Sequence, residues 1–109
     1  MDKHDKALLE KILDEAKIIE DLIKGYDCDK FIADEKTKRA VCMTLINIGE
    51  MVKLLSNEIR QQNAAIPWRS IAGLRDVTAH GYMTLRMEDI WETVSESLPI
   101  LKSQIDTIL

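Results

Sequence analysis

The stretch Val41-Cys42-Met43-Thr44-Leu45-Ile46-Asn47-Ile48-Gly49-Glu50-Met51-Val52-Lys53-Leu54-Leu55-Ser56-Asn57-Glu58-Ile59 decides the fold. Val41, Leu45, Ile48, Val52, Leu55 and Ile59 step by four, three, four, three and four residues, the stride of a helix face packed along a partner. With its flanks the pattern predicts a helix from about Asp34 to Gln62. At ~1.5 Å per residue such a rod approaches ~40 Å. Met43, Ile46, Met51 and Leu54 fall off the main face. This second apolar stripe asks for a second cover, either another helix of the chain or a second copy, because large apolar patches are rare on monomers.

On the N-terminal side, Ile12, Ala16, Ile19, Ile23 and Tyr26 repeat the same stride and predict a first helix from about Asp5 to Tyr26. Gly25 lies near its end, Asp27 to Lys30 reads as a loop, and Phe31 and Ile32 read as apolar plugs packing from that loop or from the next helix's first turn. On the C-terminal side, Asn63 to Ile66 interrupts the pattern, and Pro67 suits the first turn of a helix, where a missing N–H costs nothing. A third helix is predicted from about Trp68 to His80, stopped by Gly81 with a positive φ. A fourth, capped by Thr84, is predicted from about Arg86 to Leu109. Pro99 lies inside it, so a kink is expected near Ser95 to Pro99. Four helices with short links predict an all-α, antiparallel up-and-down bundle, a single domain over residues 1–109.

Composition agrees. The 109 residues are 46% apolar and 31% charged, with four Gly and two Pro, too few turn formers for an all-β fold. The net charge of -4 argues against coating nucleic acid through bulk charge, but a local basic groove depends on where the charges sit. Cys28 and Cys42 form no metal or redox pattern. No signal peptide precedes the first helix and no apolar run reaches membrane-spanning length, so the expected location is the cytoplasm, away from membranes.

Chemistry concentrates in Ile71-Ala72-Gly73-Leu74-Arg75-Asp76-Val77-Thr78-Ala79-His80-Gly81-Tyr82. A di-metal bundle would need Glu-x-x-His motifs, which are absent, and with only His4 and His80 no histidine-rich metal site can form, so neither metal nor other cofactor is expected. Asp76 and His80 stand one helical turn apart, so the carboxylate can orient the ring. Arg75 and His80 differ by five positions, roughly 140° around the helix, and would face two edges of a groove. If two copies meet there across a two-fold axis, two arginines and two histidines converge, and a phosphodiester fits between them: Arg clamps phosphate, and His moves protons near neutral pH. Such a set suits metal-independent RNA cleavage by the ribose 2′-hydroxyl, to which DNA is inert. A plainer reading keeps each residue structural: His80 as a cation at a helix C-terminus, Tyr82 as a half-buried anchor, Glu50 as a polar break beside Gly49.

Arg75, four residues, His80, one residue, Tyr82 resembles the signature of the HEPN superfamily of small helical ribonucleases, and more narrowly HepT, the toxin of HepT–MntA toxin–antitoxin pairs. The resemblance extends over nearly the whole chain, through Ile48-Gly49-Glu50, Pro67-Trp68, Trp91 and Leu98-Pro99. It implies a homodimeric ribonuclease with Arg75 and His80 as the catalytic pair and with Asp76 and Glu50 in support. Asn is common in the family where Asp76 stands here. Tyr82 matches the tyrosine to which a nucleotidyltransferase antitoxin adds AMP. The implied partners are RNA, a second copy and that antitoxin. The rival is a helical module without turnover, one that docks a nucleotidyltransferase or binds a nucleotide.

Overall fold

A computed structural model describes the side chains of residues 1–75 and 81–109, and no strand occurs among the described residues. Helix α1 spans Lys3–Leu22, α2 Cys28–Ala33, α3 Glu35–Leu54, α4 Asn57–Gln62, α5 Trp68–Gly81, α6 Met87–Glu92 and α7 Leu98–Ile108. The long rods α1, α3, α5 and the α6–α7 unit form a helical bundle of about 42 × 28 × 20 Å. The predicted main stripes of the first two helices supply its core, joined by residues of the last: Ile12, Ile19, Val41, Leu45, Ile48, Val52, and with them Val94 and Ile105, are at most 1% exposed.

The predicted long second helix is two helices. Leu55 and Ser56 are extended, with ψ 146° and 154°, and the cause is Asp5. Its buried carboxylate accepts hydrogen bonds from the Ser56 N–H (3.0 Å) and the Ser56 hydroxyl (2.6 Å). The Ser56 Oγ accepts in turn from the Ile59 N–H (3.2 Å), which caps α4. Periodicity did not register the break because Leu55 and Ile59 are both buried across it. The rod therefore ends at Leu54, and α4 turns aside from it.

Four further features differ from expectation. The first helix ends at Leu22, followed by a turn through Gly25 at φ 79°. The supposed loop over Asp27 to Lys30 is the start of α2, because Asp27 accepts from the Lys30 N–H (2.8 Å) and caps it. From that short helix the fully buried Phe31 meets Trp91 at 5.4 Å between ring centroids, while Ile32 is half-buried. Gly81 does not terminate its helix with a positive φ. Its φ is −126°, and the chain runs on into a 3-10 turn, Tyr82–Thr84. Thr84 caps nothing downstream, since its hydroxyl donates back to the Gly81 carbonyl (2.9 Å) and Arg86 precedes α6 without a side-chain cap.

The irregularity expected near Pro99 takes the form of a π-turn, Thr93–Ser97, between α6 and α7. Pro99 has no N–H to return to the Ser95 carbonyl, and its ring crowds that carbonyl. The Ser95 hydroxyl, bonded to the Trp91 carbonyl (2.6 Å), and the Thr93 hydroxyl, bonded to that of Asp89 (2.9 Å), take up acceptors in the loosened ladder.

Two carboxylates tie the fold to pH. Burial alone would raise the Asp5 pKa, but the Ser56 bonds outweigh it and hold the group below its ordinary value. Asp34, which caps α3, is held at about 2 by the Tyr26 hydroxyl and by the N–H and hydroxyl of Thr37. Both pKa values are depressed on folding, so both contribute stability above the unfolded value of ~3.9 and lose it as pH falls below that. Asp5→Ala should cost about 1–3 kcal/mol at pH 7, by stranding the Ser56 donors. Thermal melts from pH 7 to pH 2 should show the wild type losing stability below about pH 4, and Asp5→Asn losing less.

Candidate functional site

Helices α3 and α5 approach each other most closely at Gly49. A Cβ placed there would stand 2.8 Å from the Arg75 Cβ, 2.9 Å from its backbone nitrogen and 3.3 Å from the Ala72 carbonyl oxygen. Only a residue without a side chain lets the backbones come so near. The contact fixes the root of Arg75. Its other end is engaged by the next residue of α3, because the Arg75 Nε pairs with the Glu50 carboxylate. Arg75 is thus held at both ends by Gly49 and Glu50. It keeps about a third of its side chain exposed, and Glu50 about half, so the pair lies at the surface of the α3–α5 seam.

The side chains of Asp76 and His80 lie outside the described residues, and so does the expectation that Asp76 orients the His80 ring. Both positions fall within α5, C-terminal to Arg75.

Tyr82 sits elsewhere on the same seam. Its hydroxyl donates to the Glu35 carboxylate (3.1 Å), and Arg39 lies over its ring at 5.0 Å. Glu35 also pairs with Lys38 (2.9 Å) and Arg39 (3.0 Å). Burial, then the bond to Glu35, pushes the phenol pKa up, so the hydroxyl is protonated at neutral pH. Glu35 opens α3, whereas Glu50 lies fifteen residues further along it, about 22 Å at ~1.5 Å per residue. An anion on the Tyr82 oxygen would therefore meet Arg39 and Lys38, not Arg75 of its own chain. Glu35 and Arg39 were not picked out from the sequence. Their one signal was an i,i+4 charge pair just after a capping Asp.

Other clusters hold less chemistry. The apolar cleft between α3, α5 and α7, about 230 Å³, is lined by Leu45, Ile48, Leu74, Leu98 and their neighbours, none titratable. Cys42 is buried, which pushes its thiol up to about 11 and leaves it unreactive. Asp2, His4 and Asp5 place ligand-type atoms within 4.8 Å of one another, yet Asp2 caps the Asp5 N–H (2.7 Å) and Asp5 is taken by Ser56. Among the described residues, no helix is long and apolar enough to cross a membrane.

Comparison with known proteins points one way. A family profile described as Ribonuclease HepT-like matches residues 12–108. A candidate RNase of Caldanaerobacter subterraneus subsp. tengcongensis is 36% identical over 98% of this chain and 96% of its own. A probable ribonuclease HepT of Thermococcus cleftensis is 32% identical over 99% and 98%, and a candidate RNase of Methanocaldococcus jannaschii is 30% identical over 99% and 100%. No solved structure matches.

Gly49 and Gly73 give opposite predictions. Gly49→Ala should lower the melting temperature, because the overpacking cost of about 1–3 kcal/mol exceeds the ~1 kcal/mol that Ala gains in helix propensity. Gly73, where an added Cβ meets nothing within 4 Å, should gain stability as Gly73→Ala. Melting of the two variants beside wild type checks both signs.

Proposed function

The chain belongs to the Ribonuclease HepT-like family, and from that premise we propose that it cleaves RNA without a metal, at a groove built around Arg75 and His80 where two copies meet. The observation that carries this reading is Arg75 itself: rooted at Gly49, aimed by Glu50 and about one-third exposed, five residues before His80 on one helix. A guanidinium fixed in this way can take a phosphate oxygen with little reorganisation.

In the proposed reaction one His80 takes the proton of a ribose 2′-hydroxyl, and that oxygen attacks the adjacent phosphorus. The bond from phosphorus to the 5′-oxygen breaks, leaving a 2′,3′-cyclic phosphate. The His80 of the second copy, protonated, gives its proton to the departing oxygen. Arg75 offsets the charge gathering on the phosphoryl oxygens, and Glu50 holds its plane. The second copy would cover the exposed apolar positions of α3, where Met43 is 59% and Leu54 60% exposed.

Control falls to Tyr82. A nucleotidyltransferase partner would join the phenol oxygen to the α-phosphorus of ATP and release pyrophosphate. The phenol must lose its proton in that step, and Glu35 is the acceptor already bonded to it. The attached phosphodiester would exchange the Glu35 bond for the cations Arg39 and Lys38, and the adenosine would obstruct RNA.

Purified wild type should cut single-stranded RNA in the presence of EDTA, leave cyclic phosphate ends and spare DNA. Arg75→Ala and His80→Ala should each lose about 10²-fold or more with melting unchanged. Full inhibition by EDTA would overturn the mechanism, and a monomer by light scattering at micromolar concentration would overturn the shared groove. Co-expression with a nucleotidyltransferase encoded beside it should leave Tyr82 carrying AMP by mass spectrometry, and Tyr82→Phe should escape neutralisation. A Tyr82→Phe protein still silenced by an active partner would show inhibition by docking alone.

A further inference from the structure

The end of α3, the short α4 and the first turns of α5 enclose an open groove of about 930 Å³. Among the described residues, the charged ones lining it are Lys53, Arg60 and Arg69, with the amides of Asn57 and Gln61, and none is a carboxylate. In a chain of net charge -4, such a segregated basic surface is a departure from the average that calls for an anionic occupant.

The groove borders the part of the α3–α5 seam that carries Arg75. Its wall includes Ala72 and Gly73, and the Ala72 carbonyl is one of the atoms that crowd Gly49 beside Arg75. Along α5, Arg69, Ala72 and Arg75 follow at three-residue steps, so each neighbours the next on the helix surface while the row winds by roughly 120° from Arg69 to Arg75. Arg69 and Arg75 are then separated by about 9 Å along the axis. Across the seam, Lys53 lies one turn beyond Gly49 on α3. Asn57 holds the Arg60 guanidinium at the rim (2.9 Å). The break at Leu55 and Ser56 makes this possible, since α4 could not turn aside to form the opposite wall if the rod ran straight on to Gln62.

We propose that this groove carries the phosphate backbone of a single-stranded RNA on one side of the bond cleaved at Arg75. The inference rests on the ribonuclease reading of that site. Cations set along a track suit a chain of phosphodiesters, which neutralises several of them in succession. The groove reads backbone and not base. Its one aromatic ring, Trp68, is 6% exposed and commits its Nε1–H to the Asn63 carbonyl (3.1 Å), so it offers no face on which a base could stack. Cleavage at Arg75 is accordingly tolerant of sequence on this side.

The test is fluorescence anisotropy with a labelled 2′-O-methyl RNA, which has no free 2′-hydroxyl and reports binding whether or not the protein cleaves. Arg69→Glu and Lys53→Glu, both at exposed positions, are compared with Lys17→Glu, an equal change of charge at an exposed position on α1. Circular dichroism melts confirm that all three fold. Each groove variant should weaken binding roughly tenfold or more and reduce the slope of log affinity against log salt by about one, while Lys17→Glu stays near wild type. Affinity unchanged in both groove variants, or reduced equally in Lys17→Glu, would overturn the proposal. The first of these results would leave the groove to an acidic protein surface. If wild type binds through Arg69 and Lys53 but leaves unmodified RNA intact, the groove stands and the catalytic reading of Arg75 and His80 fails.

Discussion

The structure depends on how closely α3 and α5 can approach at Gly49. Any side chain there would strike the Cβ and backbone nitrogen of Arg75, and the two helices would part along their whole seam. Helix-on-helix packing normally keeps axes 8–10 Å apart according to the side chains between them, and glycine allows the near end of that range. The same contact sets the height at which Arg75 leaves α5. The apolar seam and the charged site are therefore one feature. Gly49 decides where the guanidinium begins, and Glu50, on the adjacent residue, decides which way it turns.

Charge is distributed to match. Several of the acidic residues that make the chain net negative stand at helix starts or across helix seams. Asp2, Asp27 and Asp34 cap α1, α2 and α3, and Glu15 holds Asn47 (2.8 Å) across the α1–α3 seam. They are spent on structure, where a carboxylate at a helix N-terminus meets the positive end of the dipole. The cations of the α4–α5 groove are placed differently: Arg60 donates to the Asn57 side chain (2.9 Å), and Arg69 is exposed. An overall charge is thus a poor guide to the field at one groove, and the sign of the sum conceals the sign of the site.

The four-helix plan was legible because it rests on periodicity, and the stripes in the sequence are the buried residues almost one for one. The helix boundaries were less legible, for a definite reason. Ser56 ends α3 only because Asp5, fifty-one residues earlier, reaches its N–H and hydroxyl, and no local pattern contains that bond. Conversely Asp27 starts α2 by a local cap that the sequence did carry, hidden in a stretch whose charges read as loop. Arg75 and Glu50 were both singled out, but their pairing was not, since it depends on the height of two helices relative to each other. Tyr82 was legible as a residue and not as a neighbourhood. Its partners Glu35 and Arg39 stand over forty positions away.

The separation of Arg75 from Tyr82 along α3 bears on how one modification could silence a distant arginine. Within one protomer the cations beside the phenol are Arg39 and Lys38, close to the start of α3. A phosphodiester attached there is too far from Arg75 of the same chain to occupy it directly. Two routes remain. A two-fold axis can bring the Tyr82 end of one copy toward the Arg75 of the other, so that AMP reaches the guanidinium across the interface. Alternatively, on the proposed reading, the modification would leave the clamp alone and place negative charge and bulk beside Arg39 and Lys38, across the path of an RNA that continues past Arg75 toward the start of α3. The two differ in symmetry: the first makes modification of one copy disable its partner's arginine, and the second makes each copy answer for its own exit. A dimer modified on a single Tyr82 thus separates them by which of its two arginines still binds phosphate.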